Sequence, residues 1–194
     1  MKTILLLLLC YLIGSISGAY IIGKWHLHAD IRDYGSGNAG TTNAIRVMGK
    51  KPGYLTFAID VAKGMVAMLL IAPMLDESIR LLACLFVVLG HDFPFYLKFR
   101  GGKGIATTLG ALGALRPLFL VPSILAGYLV GMKTRYVSVG SLTFITIMSL
   151  LMFFFYADSA ANRWAIALVW ILGFIRHKDN VKRLREGTEN KMGG

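Results

Sequence analysis

Acidic side chains are scarce in this chain. Aspartate and glutamate number 10 against 21 lysines and arginines, and charged residues of both signs make up only 16% of 194 positions. Soluble domains carry about 25% charged residues, so a soluble globule of this composition would leave apolar surface against water. Cysteine is almost missing too. Cys10 and Cys84 both lie inside apolar runs, which excludes a disulfide framework and a cysteine metal site. No cluster of His, Asp and Glu stands out, so neither metal nor cofactor is expected. There is no long linker and no internal repeat, which leaves one domain over 1–194. What the chain has in quantity is hydrophobic residues, 56% of the total, with a mean hydropathy of +0.62.

These residues fall into runs that suit membrane helices, since a helical crossing takes about 20 apolar residues. The spans expected are 3–23, 53–73, 79–97, 136–156 and a shorter 163–175. The first could pass for a signal peptide, with Lys2 before it and the small-residue stretch SISGA at its end. Its length, and the further membrane segments behind it, favour an uncleaved helix. The stretch 104–132 is interrupted by Arg116-Pro117. It is either two short helices turning at the arginine or one bent, re-entrant segment. The fold class expected is therefore all-α, a polytopic membrane helix bundle with seven crossings, or five in the re-entrant case.

The net charge of +11 would suggest nucleic acid in a soluble protein. Here the basic residues stand between apolar runs, so anionic headgroups and anionic substrates are the better partners. Sixteen of the 21 lysines and arginines fall in 24–53, 98–104, 133–141 and the tail 176–194. The positive-inside rule makes those segments cytoplasmic and puts the N-terminus outside.

Two of these segments have the composition of anion sites. The first reads YGSGNAGTTNAIR from Tyr34, gathering Ser36, Gly37, Asn38, Gly40, Thr41, Asn43 and Arg46. Glycines let backbone N–H groups converge on an anion, and the arginine fork matches phosphate. The second reads FRGGKGIATT from Phe99, with Gly101, Gly102, Lys103 and Gly104 directly before an apolar helix. A helix N-terminus there offers free N–H groups and a positive dipole end. The nucleotide signature GxxxxGK[ST] is absent, because Gly104 follows the lysine. Together the two loops predict two phosphate groups held on one face.

The tail adds His177 and Asn180, three residues apart and on one face if helical, then Glu189. Inside the spans, Asp60 and Lys63 are expected to form a structural ion pair, and His91 to be a packing hydrogen-bond donor. Ser138 and Ser141 open a later span and can bond back to their own helix.

These segments resemble the acyl-phosphate-dependent glycerol-3-phosphate acyltransferases of bacteria, the PlsY family. The likeness covers almost the whole chain: Gly14-Ser15, SGNAGTTNAIR, DVAKG at 60–64, GHDFPFYLKFRGGKGIATT and the terminal HKDN…REGTE. Ala39 departs from the proline common at that position, and Asp92 stands at a variable one. The resemblance implies an enzyme of the bacterial inner membrane that acylates the 1-hydroxyl of glycerol 3-phosphate. The donor implied is acyl-phosphate, with no CoA or acyl carrier protein, and the products are lysophosphatidic acid and phosphate. Carried over by motif, Ser36 and Arg46 are first-loop ligands, and Gly101, Gly102 and Lys103 form the second phosphate site. Ser141, His177, Asn180 and Glu189 complete the polar set, with Lys103, Ser141, His177 and Asn180 as the catalytic candidates.

A mixed anhydride needs mainly positioning and charge stabilisation. Direct attack by the substrate hydroxyl is expected, with its proton going to a donor phosphate oxygen or to His177. His28 and Asp33 have the spacing of the His–Asp pair in CoA-dependent acyltransferases. The surrounding motifs of that family are missing, so the spacing is chance. The competing function is a transporter for phosphate or a phosphorylated metabolite, which would need a polar path to both faces.

Overall fold

The computed structural model describes residues 1–192, and these are helical with no strand among them; the last two positions of the 176–194 tail lie outside the described residues. Ten α-helices follow in order: α1 Lys2–Ser15, α2 Gly18–His26, α3 Thr41–Met48, α4 Lys50–Val66, α5 Leu82–Asp92, α6 Ile105–Leu115, α7 Pro117–Thr134, α8 Val137–Phe155, α9 Ala160–Arg176 and α10 Lys178–Arg185. Five runs are long and apolar enough to cross a membrane: Lys2–His26, Lys50–Met74, Glu77–Leu97, Pro117–Thr134 and Val137–Phe155. Seven crossings were expected, and α6 and α9 fall short of that length. The 11 residues of α6 reach about 16 Å, roughly half of a ~30 Å hydrocarbon layer.

The expected first span is not one helix. It breaks at Ile16–Ser17, where both residues are extended. A broken helix at membrane depth strands backbone groups unless protein supplies partners. Here it does. Ser17 Oγ caps α2 by accepting from Tyr20 N at 3.4 Å. The Tyr96 hydroxyl donates to Ser15 O at 2.8 Å and accepts from Ser17 N at 3.2 Å. Lys63 Nζ donates to Ile16 O at 2.8 Å.

The stretch 104–132 is two helices divided at Arg116, whose guanidinium lies 4.5 Å over the Tyr156 ring. Close pairs α1/α5 and α4/α6 are glycine contacts. A Cβ on Gly14 would strike the Val87 carbonyl, and one on Gly64 the Thr107 carbonyl. Lipid gives helices no hydrophobic reason to associate, so close backbone approach supplies the packing instead.

The two polar ends differ. At one, Asn162 ties three segments together: Oδ1 accepts from Leu81 N at 2.9 Å, and Nδ2 donates to Glu77 O and Asp158 Oδ1, both at 2.9 Å. Ser159 caps α9 and also reaches Ser78 O. At the other end, segments 27–40, 93–104, 133–141 and 176–191 converge around a cavity.

Candidate active site

The first loop is shaped by its own asparagines and by one arginine. Asp30 caps a short turn and pairs with Arg32 at 2.6 Å. Arg32 then donates across to Leu97 O at 2.7 Å and Arg100 O at 3.3 Å on the second loop. Its side-chain hydrogen bonds hold the Asp30 carboxyl below the usual carboxylate range. Asn43 is buried, with Oδ1 taking Ser36 N at 2.8 Å and Nδ2 donating to Tyr34 O at 3.0 Å. It reaches the cavity wall, but its hydrogen bonds build the loop. Asn38 Nδ2 donates to Gly101 O at 3.3 Å, so the two glycine loops meet directly. Thr41 Oγ1, on the cavity wall, is buried without a partner among the described residues. Arg46 enters the cavity with no carboxylate within pairing distance among the described residues.

The second loop folds back on the end of α5. Gly101 N donates to Asp92 O at 3.1 Å, and Gly102 N to His91 O at 3.0 Å. The amides expected to bind phosphate are therefore already engaged, and neither glycine lines the cavity. A Cβ on Gly101 would meet the His91 carbonyl, and one on Gly102 the His91 ring; close approach is why glycine stands there. Their carbonyls face Arg176, whose Nε and Nη2 reach Gly102 O at 2.9 and 2.8 Å. What the loop offers the cavity is the Lys103 side chain, Gly104 in the left-handed region at φ +73°, and the opening residues of α6, Ile105 and Ala106. The first N–H groups of a helix have no partner within it, so the anion-facing amides lie one step beyond the glycine pair.

A chain of side chains fixes Lys103. Its Nζ donates to Asn180 Oδ1. Asn180 Nδ2 donates to Glu189 Oε1 at 2.6 Å, and Ser138 Oγ donates to the same oxygen at 2.8 Å. Arg183 Nε holds Oε2 at 2.7 Å. Burial works to raise the Glu189 pKa, but the bonds from Asn180, Arg183 and Ser138 outweigh it and hold it below the usual value. Both Glu189 oxygens are committed to protein, so it orders the site rather than gripping an anion. Burial, seconded by the charge of Arg183, pushes the Lys103 ammonium down to about 8.

His177 joins α9 to α10. Its Nδ1 lies 2.7 Å from Gly173 O, and a carbonyl only accepts, so Nδ1 carries the hydrogen. Burial and then the Lys103 charge push its pKa down to about 4. It is absent from the cavity lining, as is Gly37. His28 and Asp33 also lie outside it.

The cavity thus brings together Ser36, Asn38, Gly40, Thr41, Asn43, Arg46, Lys103, Gly104, Ser141, Asn180 and Glu189 at one place, in a volume of ≈ 280 Å³. Sequence reasoning did not place Asp60, His91, Ser138, Arg183 or Lys191 there, yet all five line it. For Asp60 and His91 the signal was present: ionisable groups at membrane depth are more often functional than packing. Phe57, Ile105 and Val137 form an apolar side of the same cavity. Such a space can hold a small anion and its polar body against a partly apolar wall.

The glycerol-3-phosphate acyltransferase family model matches residues 4–187. A glycerol-3-phosphate acyltransferase of Thermoanaerobacter sp. (strain X514) is 41% identical over 193 residues, covering 100% of this chain and 97% of the relative. One from Halalkalibacterium halodurans is 41% identical over 198 residues, covering 97% and 95%. Crystal structures of PlsY (YgiH), an integral membrane glycerol 3-phosphate acyltransferase, are similar throughout. The glycerol 3-phosphate form superposes with a TM-score of 0.92 and the lysophosphatidic acid form with 0.88, both at 33% identity and covering 100% of this chain and 96% of theirs.

Proposed function

The chain belongs to the glycerol-3-phosphate acyltransferase family, and on that footing we propose that it transfers an acyl group from acyl-phosphate to the 1-hydroxyl of glycerol 3-phosphate. The products are 1-acyl-glycerol 3-phosphate and inorganic phosphate. The observation that carries this reading is the convergence of Arg46 and Lys103, from loops far apart in sequence, on one cavity of ≈ 280 Å³. Two phosphate groups fit such a cationic space, and it is too small to enclose a long acyl chain as well. The chain lies outside, against lipid, by way of Phe57, Ile105 and Val137.

Lys103, Arg46, Ser36 and Thr41 hold the phosphates, with Ser141 and Asn180 beside them and the α6 N-terminus adding its dipole. The hydroxyl oxygen attacks the acyl carbonyl, the bond from carbonyl carbon to phosphate oxygen breaks, and phosphate leaves. The proton passes to a phosphate oxygen of the donor. A histidine at about 4 that stands off the cavity is a poor base by comparison. His177 instead fixes the α9–α10 turn that carries Asn180.

The protein acts as one unit in the bacterial inner membrane, crossing it seven times with α6 and α9 as short crossings in thinned or tilted contact with lipid. The N-terminus is outside and the site cytoplasmic, as the distribution of basic residues supports. The closed Asn162 end favours an enzyme over a transporter. The test supplies purified protein with glycerol 3-phosphate and, separately, acyl-phosphate, acyl-CoA and acylated carrier protein. Lysophosphatidate is expected from acyl-phosphate alone. Product from acyl-CoA but not from acyl-phosphate would overturn the donor, and uptake without product would overturn the reaction.

A further inference from the structure

Beneath the cavity lies a buried group that phosphate binding leaves unused. Asp60 on α4 and His91 on α5 both contribute to the lining, yet they are only 1% and 5% exposed. Lys63 joins them, with Nζ 2.8 Å from Asp60 Oδ1 and 2.7 Å from His91 Nδ1. Its remaining proton goes to Ile16 O. An ammonium has three donors and no acceptor. All three are therefore engaged, and His91 Nδ1 must be the receiving atom, which puts the imidazole hydrogen on Nε2.

The consequence for the cavity concerns Asp60. Among the described residues two carboxylates line it, and Glu189 has both oxygens bound to Asn180, Ser138 and Arg183. Asp60 is the one left for a ligand. It offers acceptors and no donor, in a space otherwise rich in donors such as Arg46, Lys103 and Thr41. Lys63 balances its charge, so a phosphate nearby is not driven off. A ligand matched to this lining carries a phosphate together with a hydroxyl that donates to Asp60.

We propose that Asp60 accepts a hydrogen bond from the non-reacting 2-hydroxyl of glycerol 3-phosphate and makes the site selective for substrates that carry it. This rests on glycerol 3-phosphate being the acyl acceptor. A buried acceptor built for a hydroxyl is left dry and unpaired by an analogue lacking that group, and the analogue bears the loss. Dihydroxyacetone phosphate fares no better, because its C2 carbonyl turns a lone pair toward the carboxylate.

The experiment compares kcat/KM for glycerol 3-phosphate and 3-hydroxypropyl phosphate, which keeps the reacting hydroxyl and lacks the middle one. The full chain is used in proteoliposomes with acyl-phosphate. The ratio between substrates cancels any loss of folded protein. Wild type is expected to prefer glycerol 3-phosphate by on the order of 100-fold. Asp60→Asn, whose amide oxygen still accepts, should keep part of that preference. Asp60→Leu combined with Lys63→Met, which removes both buried charges together, should bring the ratio within about threefold of unity. An unchanged ratio in the double variant, or a wild-type ratio near one, overturns the proposal, the former by placing Asp60 on the reacting hydroxyl or in the scaffold alone. No product from either substrate with wild type overturns this proposal and the assigned reaction together.

Discussion

The two polar ends of the bundle use the same kinds of residue to opposite effect. At the far end, Asn162 and Ser159 spend their hydrogen-bonding capacity on Leu81, Glu77, Asp158 and Ser78. At the other, among the described residues, Arg46 has no carboxylate partner and Thr41 Oγ1 has no hydrogen-bond partner. Lys103 there rests on a neutral amide. A group whose partners are all within the protein contributes to stability. A cation held in place by neutral or borrowed contacts is available for something not yet bound. Between Asn162 and Ser159 on one side and Arg46, Thr41 and Lys103 on the other, the partners of the polar groups, more than their number, mark the difference.

That contrast can be broken most directly at Lys103. Lys103→Met should lower kcat/KM by about 10³-fold, the scale of losing a preorganised charge at a reacting anhydride, while leaving the thermal unfolding midpoint unchanged. Asn162→Leu should do the reverse. It leaves the Leu81 N–H and Glu77 C=O unpaired, at about 2–4 kcal/mol of stability, with specific activity of the folded fraction intact. Thermal unfolding in detergent measured beside initial rates separates the two. Equal activity loss in both would mean that the ends are not functionally distinct.

A smaller effect sharpens the electrostatics of the open end. Because the Lys103 ammonium sits at about 8, its charge is present below that pH and is lost as pH rises through it. The log of kcat/KM should therefore fall with a slope of about one above pH 8. Lys103→Arg, always protonated, should lower the plateau and abolish that alkaline limb. The smallest loss is expected at His177. His177→Ala should cost about tenfold or less through a looser Asn180. A hundredfold fall in kcat with KM unchanged would return the proton to the histidine.

Much of this arrangement can be read from the chain. Arg116-Pro117 divides α6 from α7, and the basic loops that composition assigns to one face do converge, with Asn38 touching Gly101. What sequence hides is tertiary. The interruption at Ile16–Ser17 falls in the small-residue stretch SISGA, but its partners are Lys63 and Tyr96, 47 and 79 positions away. Gly101 and Gly102 look like an anion nest by composition, but His91 and Asp92, beneath them, take their amides. Asp60 and Lys63 pair as their spacing suggests. That Asp60 also faces a cavity depends on where α5 and α8 sit, which no local pattern records.

The interruption in the first membrane segment has a consequence for how the protein tolerates exchange of its leading residues. Hydropathy alone would allow any leucine-rich anchor there. But a continuous helix would fold the Ile16 carbonyl into its own ladder, and the Lys63 ammonium would then have a proton with nowhere to go in the middle of the fold. The irregularity and the lysine must be inherited as a pair: a chimera with an uninterrupted anchor should be rescued by replacing Lys63 and Asp60 together, and by neither alone.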